Sequence, residues 1–183
     1  MNTHGSGTEQ VLSKPSAPTS FIRRKYSDNM TLEIEVRDPR DPDMMRILQT
    51  HLDYCMSSTP IEHVHALDVS KLTTPDITVF GGKLDGELVA VGAIRILDST
   101  HAELKSMHTL LAARGRGVGR AILENIEKFA SERGITRLSL ETGTNDAFKS
   151  ARNLYQSIGF RLCEAFGEYE NTEDNICMTK YLS

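Results

Sequence analysis

A stretch of seven residues, Arg114 to Arg120, reads RGRGVGR and contains three glycines and three arginines. Glycines let a backbone approach a ligand closely and adopt turns that other residues avoid. Arginines add charge-assisted hydrogen bonds to anionic oxygens. The stretch lies between a predicted strand and a predicted helix, where unpaired backbone N–H groups and the helix dipole favour an anion. We therefore predict that this loop binds a phosphate or pyrophosphate group.

Two common nucleotide-binding motifs do not fit this loop. A P-loop requires Lys followed by Ser or Thr after its last glycine, whereas Arg120 and Ala121 follow Gly119 here. A dinucleotide fingerprint requires Gly-x-Gly-x-x-Gly, and the third glycine is missing whether the count begins at Gly115 or Gly117. A glycine-rich turn of purely structural use is the remaining alternative to phosphate binding.

The elements around the loop alternate between strands and helices. Apolar residues at helical spacing predict three helices, over residues 41–58, 117–133 and 146–159. Strand-like runs cover residues 31–37, 76–98 (a hairpin turning at Asp85-Gly86), 101–110, 136–142, 160–166 and 175–182. A short helix or loop is expected over 58–72. This order predicts an α/β domain with helices packed on a mixed sheet.

Length and composition indicate one domain with a tail. The chain has 183 residues and a net charge of -4, with charges of both signs scattered along it. This balance argues against a nucleic-acid partner or an anionic-membrane surface, both of which need a basic excess. Residues 1–29 are rich in Ser, Thr, Gly and Pro and are predicted to be a disordered tail, leaving 30–183 as the domain.

The cysteines indicate a reducing environment. Cys55, Cys163 and Cys177 are odd in number and far apart in the sequence, so they predict neither a disulfide framework nor a metal-ligand cluster. We expect reduced thiols in a cytoplasmic protein that holds no metal. The polar N-terminus lacks the apolar stretch of a secretory signal, which agrees with this localisation.

The loop resembles the cofactor signature of the GNAT superfamily of acetyl-CoA-dependent N-acetyltransferases. That signature is Gln/Arg-x-x-Gly-x-Gly/Ala, and Arg114, Gly117 and Gly119 fit it. A second motif, ARNLYQSIGF at 151–160, resembles the family block Ala-x-x-Leu-Tyr-x-x-x-Gly-Phe. The two motifs occur at the family's spacing, with a helix and a strand between them.

The resemblance covers residues 31 to 182, and several further segments are similar to one bacterial subgroup of small acyltransferases. These segments are IEHVHALD (61–68), AELKSM (102–107), LSLETG (138–143), CEAFGEY (163–169) and ICMTKYL (176–182). The resemblance implies the GNAT fold, in which helices flank a mixed central sheet of six to seven strands. It also implies acetyl-CoA as cosubstrate.

The resemblance assigns a coenzyme-binding set to this chain. In the family, backbone amides of the loop hold the pyrophosphate of coenzyme A. The set is Met107, His108, Thr109, Arg114, Gly115, Arg116, Gly117, Val118, Gly119 and Asn145. Many members have an Asn that reaches the pantetheine arm at the position of Phe148. Asn145 lies three residues earlier and is the candidate to replace it.

Acetyl transfer to an amine requires a neutral amine, donors for the oxyanion and a proton for the departing thiolate. By family analogy the oxyanion donor is a backbone N–H between Met107 and Leu110, and Tyr155 is the general acid. A Tyr155 that only packs on its helix is the alternative. Glu103 lies where the histone acetyltransferase that gives the superfamily its name has its base.

Glu103 is accordingly the candidate base or substrate anchor, with a structural ion pair to Lys105 as the alternative. Strand alternation predicts that Glu103, Lys105 and Met107 share one face, and Lys105 could hold a substrate carboxylate. His65, Glu141 and Thr142 are further candidates for acceptor binding. An acidic stretch, GEYENTEDN at 167–175, would close the other side of the site.

The resemblance implies an N-acetyltransferase that acts by direct attack in a ternary complex. The expected acceptor is the primary amine of a small molecule, amino acid-like or polyamine-like. A protein lysine or N-terminus is the second possibility, and a non-catalytic coenzyme A-binding module is the third. Since many relatives dimerise, a homodimer is also possible.

Overall fold

The computed structural model describes residues 22–26, 30–58, 68–170 and 172–183. Within these ranges eight strands form one sheet in the order β1-β2-β3-β4-β5-β6-β8-β7. The strands are β1 (Ile22–Tyr26), β2 (Met30–Val36), β3 (Ile77–Leu84), β4 (Glu87–Ile96), β5 (His101–Thr109), β6 (Arg137–Gly143), β7 (Arg161–Cys163) and β8 (Asn175–Tyr181). Neighbouring strands are antiparallel except β5 and β6, which are parallel. The predicted mixed sheet flanked by helices is confirmed.

Three α-helices in the described part of the chain pack on this sheet: α1 (Pro42–Ser58), α2 (Val118–Ser131) and α3 (Lys149–Ser157). Short 3-10 turns lie at Lys71–Thr73, Leu111–Ala113 and Asp146–Phe148. No helix among these is long and apolar enough to cross a membrane.

Two apolar clusters lie on opposite faces of the sheet. The larger contains Ile122, Ile126 and Phe129 of α2 against residues of β2 to β6, such as Leu104. The smaller contains Met44, Ile47 and Leu48 of α1 against Leu72, Val79, Val91 and Ala93. Helices α2 and α1 therefore pack on opposite faces of the central strands, and this packing fixes the position of β5.

Two predicted boundaries differ from the structure. Residues 22–26 fall in the range expected to be tail, yet they form β1 and pair with β2, which raises the sheet to eight strands. The segment IRRKY has three basic residues among five, so its sequence does not alternate as a half-buried strand would. The strand predicted over 160–166 is only the three residues of β7, an edge strand that pairs with β8 alone.

A β-bulge interrupts β5 next to its partner β4. Ala93 pairs with Lys105 and Val91 with His108, so Gly92 faces both Ser106 and Met107. Ser106 has a φ of 52°, the left-handed conformation that allows the extra residue. A Cβ at Gly92 would overlap the Met107 sulfur and Ile122, so only glycine leaves room for the bulge.

The bulge reverses which side chains of β5 point to which face. Met107 packs against the larger apolar cluster on the α2 side. His108 lies opposite Val91, whose side chain belongs to the cluster on the α1 side. The prediction that Met107 shares a face with Glu103 and Lys105 is therefore wrong, because it assumed regular alternation through the bulge.

Candidate active site

A gap opens between the two parallel strands at the centre of the sheet. Pairing of β5 with β6 covers only His101–Glu103 against Arg137–Ser139. Beyond Glu103, β5 stays paired with β4, and beyond Ser139, β6 stays paired with β8. The two strands must then separate, and the open carboxyl ends of parallel strands are where α/β sheets bind ligands.

A cleft of about 460 Å³ lies at this opening and brings both sequence motifs together. Its walls come from α1, the end of β5, the Gly/Arg loop with the start of α2, and α3. The lining residues are His51, Tyr54, Met107, His108, Thr109, Ala113, Arg114, Gly115, Gly117, Val118, Gly119, Arg120, Ala147, Phe148, Ser150, Ala151, Leu154 and Tyr155. Eight of the ten predicted coenzyme-binding residues are among them.

The Gly/Arg loop presents backbone donors to the cleft. Gly117 precedes α2 with a φ of 72°, and the N–H of Ala121 makes a helical bond to its carbonyl. The N–H groups of the three residues between them have no partner one turn back. Free N–H groups and a helix dipole at one place favour an anion, so the phosphate site predicted from the sequence stays a prediction that this geometry suits.

Gly119 allows this helix start to lie close to the opposite wall. A Cβ there would be 3.3 Å from Thr109 Oγ1 and 3.5 Å from Leu154 Cδ2. Arg114 is held beside the loop, because its Nε donates to the Thr109 carbonyl at 3.0 Å and its guanidinium lies 5.4 Å from the Tyr54 ring centre. The cleft is therefore narrow at Gly119 and positively charged at Arg114.

Two predicted coenzyme-binding residues do not line the cleft. The Asn145 side chain accepts from the Ala147 N–H at 3.0 Å and donates to the Ser58 carbonyl, so it ties α3's entry turn to the end of α1. Arg116 is exposed, and its nearest recorded polar contact is the Met30 sulfur at 3.9 Å. Phe148, which stands at the family's Asn position, does line the cleft.

One wall of the cleft was not predicted from the sequence. His51 and Tyr54 of α1 pack against His108 of β5, with ring centres 5.5 Å and 5.9 Å from the His108 ring. Burial lowers the pKa of His51 to about 4, and burial together with Arg114 lowers the pKa of His108 to about 4. Both imidazoles are therefore neutral at pH 7. The spacing of His51 and Tyr54 along α1 could have been noticed as a polar stripe. Nothing in the local sequence, however, indicates that this stripe packs against β5.

Tyr155 lies on α3 with its side chain in the cleft wall. It is 6% exposed and its ring centre is 5.9 Å from that of Phe160. Burial raises the pKa of Tyr155, and the nearby Cys55 and Glu141 raise it further. The phenol therefore keeps its proton at neutral pH and can donate it.

A buried polar network occupies the closed end of the gap. Lys105 Nζ lies 2.8 Å from Glu103 Oε1 and 2.7 Å from the Tyr169 hydroxyl, which itself donates to Glu103. The side chains of Glu103 and Lys105 are 4% and 9% exposed. Tyr169 comes from the acidic segment between β7 and β8, which closes this side of the site. Its role was not predicted, because its partners lie more than 60 residues away in the sequence.

Glu141 and Thr142 follow the last pair of β5 and β6. Glu141 is two residues beyond Ser139 and so lies on the face of Glu103 and Lys105. Burial raises the pKa of Glu141 to about 7, with Glu103 adding to the shift and Lys105 opposing it. Thr142 is buried and, as the next residue, points to the other face, so the structure does not bring it to this network. His65 lies outside the described residues.

No group of three or more His, Cys, Asp or Glu side chains in the described part of the chain could hold a metal ion. The described residues of the site offer free backbone N–H groups at a helix start, a protonated phenol and a buried carboxylate cluster.

Comparisons with known proteins agree with this geometry. The family model described as "Acetyltransferase (GNAT) family" matches residues 42–160. "Uncharacterized N-acetyltransferase YsnE" of Bacillus subtilis is 37% identical over 82% of this chain and 100% of its own length. "IAA acetyltransferase" of Azospirillum brasilense is 33% identical over 84% of this chain and 99% of its own. A provisionally assigned acyl-CoA N-acyltransferase of Klebsiella pneumoniae shares the fold, with a TM-score of 0.69 and 23% identity over 83% of this chain and 98% of that one.

The histidine wall predicts an acid-sensitive stability. The unfolded chain protonates His51 and His108 near their ordinary pKa, whereas the folded chain does so only near pH 4. The unfolded state therefore binds more protons between these values, and the free energy of unfolding should fall as pH falls from 7 to 4, by about 1–3 kcal/mol per histidine. Urea unfolding at several pH values measures this loss.

The double variant His51→Gln, His108→Gln should show a shallower acid dependence than the wild type. At pH 7.5, where both histidines are neutral in either state, the comparison gives the pH-independent cost of the substitutions. An unchanged acid slope in the double variant would contradict the assignment.

Proposed function

The chain belongs to the acetyltransferase (GNAT) family, and from this premise we propose that it transfers acetyl from acetyl-CoA to the primary amine of a small molecule. The observation that carries the proposal is the cleft itself. It joins the Gly/Arg loop to the helix of the second motif and ends beside Tyr155.

The residues of the cleft fit coenzyme A. The free N–H groups at the start of α2 and the Arg114 guanidinium suit a pyrophosphate. The narrow passage at Gly119 suits a thin chain such as the pantetheine arm, because a side chain there would contact both walls. Met107, His108 and Thr109 at the end of β5 would flank that arm.

The acceptor would enter from the side of the polar network. Beyond Ser139, β6 is no longer paired with β5, and we place a small amine there, next to Lys105 and Glu141. The carboxylates of the network suit a cationic amine, and Lys105 suits an acceptor carboxylate. These charges support an amino acid-like or polyamine-like acceptor.

Direct attack in a ternary complex agrees with the state of the nearby thiols. Acetyl-CoA, when bound, supplies the thioester that the amine attacks. Burial raises the pKa of Cys55 and of Cys177 to about 11, so both remain thiols at pH 7 and are poor nucleophiles. Tyr155 Oη holds the proton that the departing sulfur needs.

The contacts of Glu103 favour the anchor role over the base role. Its Oε1 accepts hydrogen bonds from both Lys105 and Tyr169, and its side chain is 4% exposed. A carboxylate held in this way stabilises the position of Lys105. We therefore propose Glu103 and Lys105 as a fixed polar floor for the acceptor.

The proposed function is tested by free-thiol release from acetyl-CoA with a panel of amines. Amino acids, polyamines, aminoglycosides, amino sugars and short peptides form the panel. We expect release with at least one small amine. Release with peptides alone would replace the small-molecule acceptor by a protein acceptor. Tight acetyl-CoA binding without release in any sample would contradict the enzymatic proposal.

Gly119→Leu should abolish acetyl-CoA binding, because the new side chain would fill the space between Thr109 and Leu154. Titration calorimetry measures this loss. Gly86→Asn is the control, because this turn lies away from the cleft and Asn tolerates its left-handed φ of 86°. Wild-type affinity in Gly119→Leu would contradict the placement of the coenzyme.

Tyr155→Phe should lower kcat by about 100-fold, the lower end of what general acid catalysis contributes. Its dissociation constant for acetyl-CoA should stay near the wild-type value, since the ring remains in the wall. Tyr181→Phe is the matched control, because Tyr181 is 72% exposed. If steady-state assays gave the same kcat for Tyr155→Phe and wild type, Tyr155 would not be the acid.

A further inference from the structure

The network around Glu103 leaves the acceptor without an obvious base. Glu103 already accepts hydrogen bonds from two groups of the protein itself, the Lys105 ammonium and the Tyr169 phenol. The Glu103 side chain is also only 4% exposed, which leaves an acceptor little access to its carboxylate. A different group must therefore take the proton that the acceptor ammonium has to lose.

Glu141 occupies the position at which the strands have parted. Parallel pairing places Ser139 opposite Glu103. Two residues further, in the same direction and on the same face, β5 reaches Lys105 and β6 reaches Glu141, and no pairing joins them. Glu141 therefore faces the gap, whereas Glu103 lies at its closed end.

The Glu141 carboxyl is near enough to both the network and the coenzyme cleft to act electrostatically on each. Its charge acts on Lys105 and Glu103 at one end, and on Tyr155 and Cys55 at the other. It also has a hydrogen bond to the Asn175 side chain. The titratable or charged groups facing it are Glu103 and Lys105 of β5, Cys177 of β8, Tyr155 of α3, Cys55 of α1 and Tyr169 of the loop before β8.

We propose that Glu141 is the general base that deprotonates the acceptor amine, and that Glu103 is a positioning residue acting through Lys105 and Tyr169. This inference rests on the proposed function and names a proton acceptor for it. This assignment gives each carboxylate a role that fits its surroundings. Glu103 is enclosed by hydrogen-bond donors, whereas Glu141 faces the gap next to Tyr155.

The proton balance of the reaction agrees with this division. The C–N bond of the amide forms and the C–S bond of the thioester breaks. The acceptor nitrogen loses two protons in becoming an amide. The first goes to Glu141 and then to solvent. The second leaves the nitrogen of the tetrahedral intermediate and returns to the Tyr155 phenolate, which has given its own proton to the departing sulfur.

The protonation state of Glu141 also suits a base. Burial raises its pKa to about 7, so the ionised form is available at neutral pH and the acid form can release its proton again. Activity with a protonated amine should consequently rise as pH increases through about 7.

The experiment compares two probe amines, propylamine and methoxyamine, at pH 6 to 9. Propylamine is protonated at pH 7 and needs a base, whereas the methoxyamine nitrogen is already neutral. Free-thiol release from acetyl-CoA is followed for wild type, Glu141→Gln, Glu141→Asp, Glu103→Gln and the exposed control Glu87→Gln.

We expect Glu141→Gln to lower kcat/KM for propylamine by about 100-fold or more and to remove the inflection near pH 7, which leaves only the steady rise from deprotonation of the amine itself. Its transfer to methoxyamine should fall far less. Glu141→Asp should restore the inflection in part, and Glu103→Gln should raise KM while keeping the inflection. Equal losses with both amines in Glu141→Gln, or loss of the inflection in Glu103→Gln instead, would overturn the inference.

Infrared titration without an acceptor separates this inference from the proposed function. The pH difference spectrum of the wild type should contain a carboxyl band with a midpoint near 7 that Glu141→Gln lacks. A Glu141 carboxyl ionised throughout pH 5 to 9 would overturn the inference whatever the acceptor. Failure of the wild type to acetylate either amine, with this band present and acetyl-CoA bound, would count against the proposed function.

Discussion

The bulge in β5 is the constraint on which the rest of the site depends. One extra residue, accommodated by the left-handed Ser106 and by the missing side chain of Gly92, changes the direction of the side chains at the end of β5, beyond the point where this strand leaves β6. A left-handed non-glycine residue costs roughly 1–2 kcal/mol. The clusters on both faces of the sheet supply the packing that offsets this cost, because Met107 fits against Ile122 while His108 turns toward α1.

The parting of the strands creates two environments from one polar face. At the closed end, Glu103 and Lys105 are so buried that their hydrogen-bond partners must come from the protein. They bond each other, and the Tyr169 hydroxyl bonds both. At the open end, Glu141 is buried enough for a raised pKa but has no residue of β5 paired with it. Two carboxylates on neighbouring strands thus differ in chemistry because one lies before the parting and the other after it.

Local sequence determined most of the elements, so they could be predicted. Pro42, the Asp85-Gly86 turn and the glycines after α2 and α3 mark boundaries that the structure confirms. The Gly/Arg loop could be recognised because the residues of its motif are contiguous in the sequence. The bulge, the Tyr169 contact and the histidine wall involve residues distant in sequence, and no local pattern predicts them. The predicted face of Met107 was wrong for the same reason, since strand alternation cannot anticipate an inserted residue.

The buried charges also limit where the site can be flexible. Exposing or unpairing Glu103 would leave Lys105 buried without its main counter-charge, and an unpaired buried charge is strongly unfavourable. We therefore expect this end of the gap to stay fixed. Tyr169 adds to this, because its hydroxyl bonds both members of the ion pair and its ring packs against Phe166.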